Sequence, residues 1–103
     1  MPGLTDQARN LTLTFYNQYA LSTIMLFDIM TKNPLMMQRV MTLPTFKQMA
    51  IYTGPKGVRS MTASDLNEKA SDIAEVGKAH YELMEKMAKE NGVRVPTEIS
   101  KRG

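Results

Sequence analysis

The chain has 103 residues, a formal net charge of +3, ten methionines, one histidine, and neither cysteine nor tryptophan. This length fits one small domain, and we interpret residues 1–103 as a single helical domain that ends in an extended tail over 93–103. Without cysteine the chain has no disulfide framework, thiolate zinc site or cysteine nucleophile, and one histidine cannot supply a multi-histidine metal site.

The first predicted element is a helix over about residues 5–31. Thr5 is a suitable cap, and Asp6 lies in the first turn, where an acid interacts favourably with the helix dipole. The eighteen residues from Asn10 to Phe27 carry no charge, and apolar side chains cover most of the circumference, so we expect burial against several neighbours. The polar residues in this run argue against a membrane span. No secretory signal is recognisable, and we expect a location in the cytoplasm or within a particle assembled there, not secretion.

The second predicted element is a shorter helical segment over residues 34–53 that proline interrupts. An asparagine at position 33 followed by a proline is typical of a helix start. Pro44 lacks an amide proton and its ring collides with the preceding turn, so it should break or kink the helix. The Gly54-Pro55 step should end the segment.

The strongest periodicity predicts a helix over about residues 63–91. Thr62 and Asp65 resemble a capping box, and the Asn91-Gly92 pair is typical of a helix end. A buried stripe at three- and four-residue spacing is predicted for Leu66, Ala70, Ile73, Val76, His80, Leu83 and Met87. Ion pairs at i,i+4 on the solvated face are predicted for Asp65–Lys69, Glu82–Lys86 and Glu85–Lys89.

Together these elements predict an all-α fold. We expect the two long helices, about 5–31 and 63–91, to form an antiparallel hairpin. The proline-broken segment 34–53 should then pack across the hairpin or onto another subunit.

Candidate catalytic and metal-binding groups are few. No nucleophile or acidic partner falls on the face of the helix that carries His80, so we interpret this residue as a packing or interface histidine. The carboxylate pairs Glu68/Asp72 and Asp72/Glu75 have no histidine at metal-ligand spacing and suit a solvated face. We therefore expect no enzymatic activity, no metal and no cofactor.

Methionine and aromatic residues predict a protein partner. Six of the ten methionines fall between positions 25 and 49, and the first fifty residues hold only six charged groups. Methionine suits adaptable binding surfaces, and one charged helix cannot cover all the apolar surface of this half. We expect a homo-oligomer or larger assembly whose protein interface includes Phe15, Tyr19, Phe27, Met36, Met37, Met41 and Phe46.

Three functions remain open at this point. The first is a structural subunit of a multi-chain complex, such as a virion or another large particle. The second is a small regulatory or inhibitory module that folds alone and binds another protein. The third is a weak contact with nucleic acid or another anion, made by a basic loop over 54–60 and a basic tail. The residues for this contact are Lys56, Arg59, Arg94, Lys101 and Arg102.

Overall fold

The structure of the chain is a computed structural model that describes residues 3–97. Those residues form an all-α fold with no strand, as predicted. The helices are α1 (Asp6–Lys32), α2 (Met36–Met41), α3 (Pro44–Thr53) and α4 (Ala63–Glu90), with a 3₁₀ turn at Val58–Ser60. Both long predicted helices are therefore confirmed to within two residues at each end.

Side-chain caps define the starts of both long helices. The hydroxyl of Thr5 accepts a hydrogen bond from the amide of Ala8 at 3.0 Å. The hydroxyl of Thr62 accepts one from the amide of Asp65 at 3.1 Å. Each bond satisfies an amide that has no partner within its helix, so these two predicted caps are confirmed.

The end of α4 depends on a glycine in a left-handed conformation. Gly92 has a φ of 67°, which glycine adopts without a steric penalty. The turn lets the amide of Val93 donate to the carbonyl of Ala88 at 2.7 Å, and it places Val93 in the core. Residues 93–97 have no regular secondary structure, and residues 98–103 of the predicted tail lie outside the described part of the chain.

The middle segment begins later than predicted. Asn33 ends α1 instead of starting the next helix, since its amide donates to the carbonyl of Ile29 at 2.7 Å. The next helix therefore begins at Met36. The predicted break is confirmed, because Pro44 occupies the first turn of a separate helix that ends at Thr53, with Gly54 as its C-cap.

The two long helices run parallel, and the predicted antiparallel hairpin is wrong. Near their starts, the amide of Thr5 donates to Oδ1 of Asn67 at 2.9 Å, 62 positions further along. Near their ends, Nζ of Lys32 donates to the carbonyl of Gly92 at 3.0 Å, 60 positions further along. A nearly constant separation from one end to the other requires a parallel pair, since an antiparallel pair would join the start of one helix to the end of the other.

The connection between the long helices explains this direction. It is a helical segment that runs back along the pair. Val40 of α2 packs with Met25 in the second half of α1, whereas Met49 of α3 packs with Phe15 in its first half. A return of about 40 Å, the length of a 27-residue helix, brings the chain back to where α1 began. The result is an up–down–up arrangement.

The buried stripe of α4 follows an alternating four- and three-residue spacing typical of paired helices. It passes through Gly77 and Met84, where the sequence predicted Val76 and Leu83. Val76 is half-buried and Leu83 is exposed. The buried residues of α4 are Leu66, Ala70, Ile73, Gly77, His80, Met84, Met87 and Ala88.

The long helices approach closely where Phe15 packs on Gly77. Phe15 is completely buried. A Cβ atom at position 77 would lie 2.9 Å from Cδ1 of Phe15 and 3.3 Å from Oε1 of Gln18. Protein interiors are packed too densely to absorb such a contact without a shift, so glycine sets the distance between the helices here.

Ion pairs contribute little to this fold. Of the three predicted pairs, Glu85–Lys89 forms at 3.4 Å. Between residues 3 and 97 the other ion pair is Arg9–Asp6 at 3.5 Å. Three of the four side chains are largely exposed and Glu85 is half-buried, and exposed pairs of this kind add at most about 1 kcal/mol.

We expect Gly77→Ala to lower the free energy of unfolding by about 1–2 kcal/mol, because overpacking against Phe15 outweighs the higher helix propensity of alanine. Exposed Ser71 on the same helix provides a matched control. There, Ser71→Ala should be more stable than Ser71→Gly by about 1 kcal/mol. Urea denaturation measures both pairs. If alanine gives a more stable chain than glycine at position 77 as well as at position 71, the close approach of α1 and α4 is contradicted.

Candidate functional site

The structure distributes the predicted interface residues over different environments. Phe15 packs in the core of the chain itself and presents no surface to a partner, which corrects its assignment to the interface. Phe27 and Met41 are exposed. Met36 and Met37 are half-buried on α2, and Met36 packs against the core. The two remaining residues, both aromatic, line a groove that is described below.

A strip without charge, apolar except for Asn17, runs along the outward side of α1. Leu13 and Phe27 are 60% and 61% exposed, and Ala20 lies midway between them. Seven residues make almost two helical turns, so the three side chains share one side of the helix. Asn17 and Ile24 lie between them, and these five residues define the α1 outer face. The seven-residue repeat was visible in the sequence, but only Phe27 was predicted at the interface.

A groove with a volume of about 260 Å³ lies between α1 and α3, next to α4. Its lining residues are Tyr19, Ser22, Thr23, Leu26, Phe46, Met49, Ala50, Thr53 and His80. It thus contains both remaining predicted interface residues, Tyr19 and Phe46. None of these side chains is acidic, and none is a lysine or arginine.

His80 closes the buried side of the groove. It is 5% exposed, and its Nδ1 lies 3.0 Å from Oγ1 of Thr45. Its ring packs at a tilt against Phe46 with 6.3 Å between centroids. Burial lowers the pKa of His80 below its ordinary 6.5, because the imidazolium would lose hydration. These contacts are those of a packed, neutral histidine.

Ser22 lines the same groove from α1. It is 2% exposed, and its Oγ has no hydrogen-bond partner within the described residues. It is therefore not bonded to His80, so the two do not form the nucleophile–base pair of a hydrolytic enzyme. A buried hydroxyl without a partner costs about 1–3 kcal/mol. Nothing in the sequence distinguishes this residue, because the burial of its hydroxyl depends on tertiary packing.

The predicted basic surface is divided between the two ends of the bundle. The loop that carries Lys56 and Arg59 packs at the start of α4, whereas Arg94 follows the end of that helix. A helix of 28 residues separates these ends by about 42 Å. Lys101 and Arg102 lie outside the described residues. The structure therefore does not bring Arg94 together with the loop.

The glycine in the middle of this loop has a structural explanation. A Cβ atom at Gly57 would collide with the backbone carbonyls of Ile51 and Tyr52 at the end of α3. The tight return of the chain therefore requires glycine at this position, whether or not the loop binds an anion.

Other site types find no support within residues 3–97. No three histidine, aspartate or glutamate side chains converge there as metal ligands would. No helix in that range combines the length and hydropathy needed to cross a bilayer. Comparisons with protein families, curated proteins and solved structures found no match to this chain.

We expect the free energy of unfolding to fall as the pH is lowered from 7.5 towards 5. The unfolded chain binds a proton at histidine near pH 6.5, whereas folded His80 resists protonation because its pKa is lower. Between the two pKa values the unfolded state binds more protons, and stability decreases with falling pH. Urea midpoints across this range measure the effect.

His80→Gln provides the comparison, because glutamine stays neutral over the whole range. We expect this variant to lose most of the slope between pH 7.5 and 5.5, where no other side chain of the chain has its ordinary pKa. The same slope in the variant and in the native chain would contradict the burial of a neutral histidine.

Proposed function

We propose that the chain is a non-enzymatic helical subunit that assembles with further copies of itself through the α1 outer face. The observation that carries the proposal is the exposure of Leu13 and Phe27, at 60% and 61%, on a stretch without charge. Burying one large apolar side chain contributes about 1.5–3 kcal/mol relative to leaving it in water. Association with another copy would bury Leu13 and Phe27, which the single chain leaves exposed.

The shape of the face suits a second helix. Eighteen uncharged residues of α1 extend over about 27 Å, and a helix from another copy can lie along this length. Interface centres are depleted in charged residues and enriched in aromatic residues and methionine. A second copy is the occupant that we propose, because a face without charge needs no complementary charges and can pair with itself.

A non-catalytic role is favoured by the groove. Its two candidate reactive groups, Ser22 and His80, are not bonded to each other. No lysine, arginine or acidic side chain lines it. The groove therefore favours a binding role over a catalytic one. Lys56 and Arg59 lie at the opposite end of α4 from Arg94, and this separation gives no support to a nucleic-acid contact.

We expect the native chain at tens of micromolar to sediment with a mass of at least twice 11.6 kDa. The double variant Leu13→Ser/Phe27→Ser should sediment at 11.6 kDa, because it removes the apolar groups that drive association. Analytical ultracentrifugation at several concentrations measures both masses, and circular dichroism checks that the variant remains helical.

Ile51→Ser is the matched control. Ile51 is 65% exposed, so it resembles the two substituted residues in size and exposure, but it lies on α3. We expect this variant to keep the mass of the native assembly. A monodisperse 11.6 kDa species for the native chain would overturn self-assembly and favour a free regulatory module. Dissociation by Ile51→Ser alone would place the contact elsewhere.

A further inference from the structure

The segment that connects the two long helices carries charge of one sign. Residues 33–62 contain no aspartate or glutamate, and their four cations are Arg39, Lys47, Lys56 and Arg59. All four are exposed. By contrast, α4 carries seven acids and four lysines. The connecting segment is therefore the basic side of the molecule, and its potential attracts an anionic partner.

Each short helix of this segment also places an exposed aliphatic side chain one turn from a cation. Leu35, at the start of α2, is 79% exposed and precedes Arg39 by four residues. On α3, Ile51 is 65% exposed and follows Lys47 by four residues. Side chains four residues apart share one side of a helix. An apolar group and a cation therefore lie together twice, once on α2 and once on α3.

These pairs face away from the core of the chain. Val40 and Met49 are the buried residues of α2 and α3, and both pack in the clusters that include the long helices. Lys47 and Ile51 each lie two residues from Met49, which is about 200° around the helix. Because both short helices cover the same pair of long helices, their outward sides belong to one side of the molecule. We call this surface the connecting face, and its residues are Leu35, Arg39, Lys47 and Ile51.

We propose that the connecting face binds the surface of a membrane that contains anionic lipids. Its cations would contact phosphate and acidic groups of the lipid headgroups. Leu35 and Ile51 would enter the boundary between headgroups and acyl chains. Binding of this kind adds apolar burial to electrostatic attraction and requires no spanning helix. The proposal goes beyond self-assembly, because the connecting face and the α1 outer face have no residue in common.

The aliphatic side chains favour a lipid surface over nucleic acid. Sequence-independent binding of nucleic acid uses cations for the phosphates and aromatic rings for the bases. Leu35 and Ile51 have no ring to stack on a base, whereas a bilayer accepts aliphatic side chains below its charged headgroups. Surfaces that bind anionic lipids typically carry clusters of about four to eight cations, and the four cations of the connecting segment reach that range.

Co-sedimentation of the native chain with extruded vesicles tests this proposal. Vesicles of phosphatidylcholine alone are compared with vesicles in which roughly a third of the lipid is phosphatidylserine. We expect the affinity for the anionic vesicles to be at least about 10-fold higher, because each cation near such a surface contributes about fivefold. Added salt should weaken this binding, since it screens the charges.

Two charge variants assign the electrostatic part to the connecting face. Arg39→Gln/Lys47→Gln should bind the anionic vesicles about 20-fold more weakly, because it removes two contributions of about fivefold each. Lys69→Gln/Lys78→Gln is the matched control. It removes the same charge from exposed positions of α4, and we expect it to keep the native affinity.

A third variant tests the apolar part. Leu35→Ser/Ile51→Ser keeps every charge and should bind the anionic vesicles about 10-fold more weakly, because two aliphatic side chains are no longer buried. Without vesicles it should sediment with the mass of the native chain, which separates a loss of lipid binding from a loss of assembly. Circular dichroism checks that the helices are retained.

Three results would overturn the proposal: equal affinity of the native chain for neutral and anionic vesicles, equal weakening by the two charge variants, or native affinity in Leu35→Ser/Ile51→Ser. Binding of the native chain to a short DNA duplex, without binding to anionic vesicles, would also overturn it and would assign the connecting face to nucleic acid.

Discussion

The parallel contact between α1 and α4 is the constraint on which the other features of the structure depend. The two helices approach closely at Phe15 and Gly77, where a single added carbon would lie 2.9 Å from the phenylalanine ring. Hydrogen bonds at both ends hold the same register, from Thr5 with Asn67 to Lys32 with Gly92. Steric fit in the middle and polar contacts at the ends thus specify one alignment of two long helices.

This alignment determines which surfaces stay open. A parallel pair requires the chain to return along its whole length, and α2 with α3 forms that return. Because α3 is short and lies over part of the pair, it leaves a groove between itself and α1, with His80 at its buried side. The same arrangement gives α1 no partner on the side of Leu13 and Phe27. Both the groove and the exposed side of α1 follow from the parallel packing of α1 and α4.

Local signals made much of this fold predictable. Caps, proline and glycine act within a few residues, so Thr5, Thr62 and Pro44 marked their helix boundaries in the sequence itself. The relative direction of the two long helices is not determined by such local signals. The thirty residues between the long helices are compatible with a hairpin or with a helical return, and only the packing of Val40 and Met49 on different halves of α1 decides between them.

The candidate sites were less predictable for a related reason. Periodicity ranks side chains by hydropathy, so it could not show that Gly77 faces the core or that Phe15 is fully enclosed there. Ser22 is an ordinary polar residue in the sequence, and it becomes distinctive only when neighbouring helices bury its hydroxyl. The exposed pair on α1 could be recognised once the buried side of that helix was known.

The direction of the two long helices can be measured by pulsed electron spin resonance on doubly labelled chains. The absence of native cysteine makes the labels site-specific. Labels at Thr31→Cys and Glu90→Cys should be close together, whereas labels at Thr31→Cys and Glu68→Cys should be at least roughly 30 Å apart, because α4 rises by that much between the two positions. A shorter distance for the second pair than for the first would contradict the parallel arrangement.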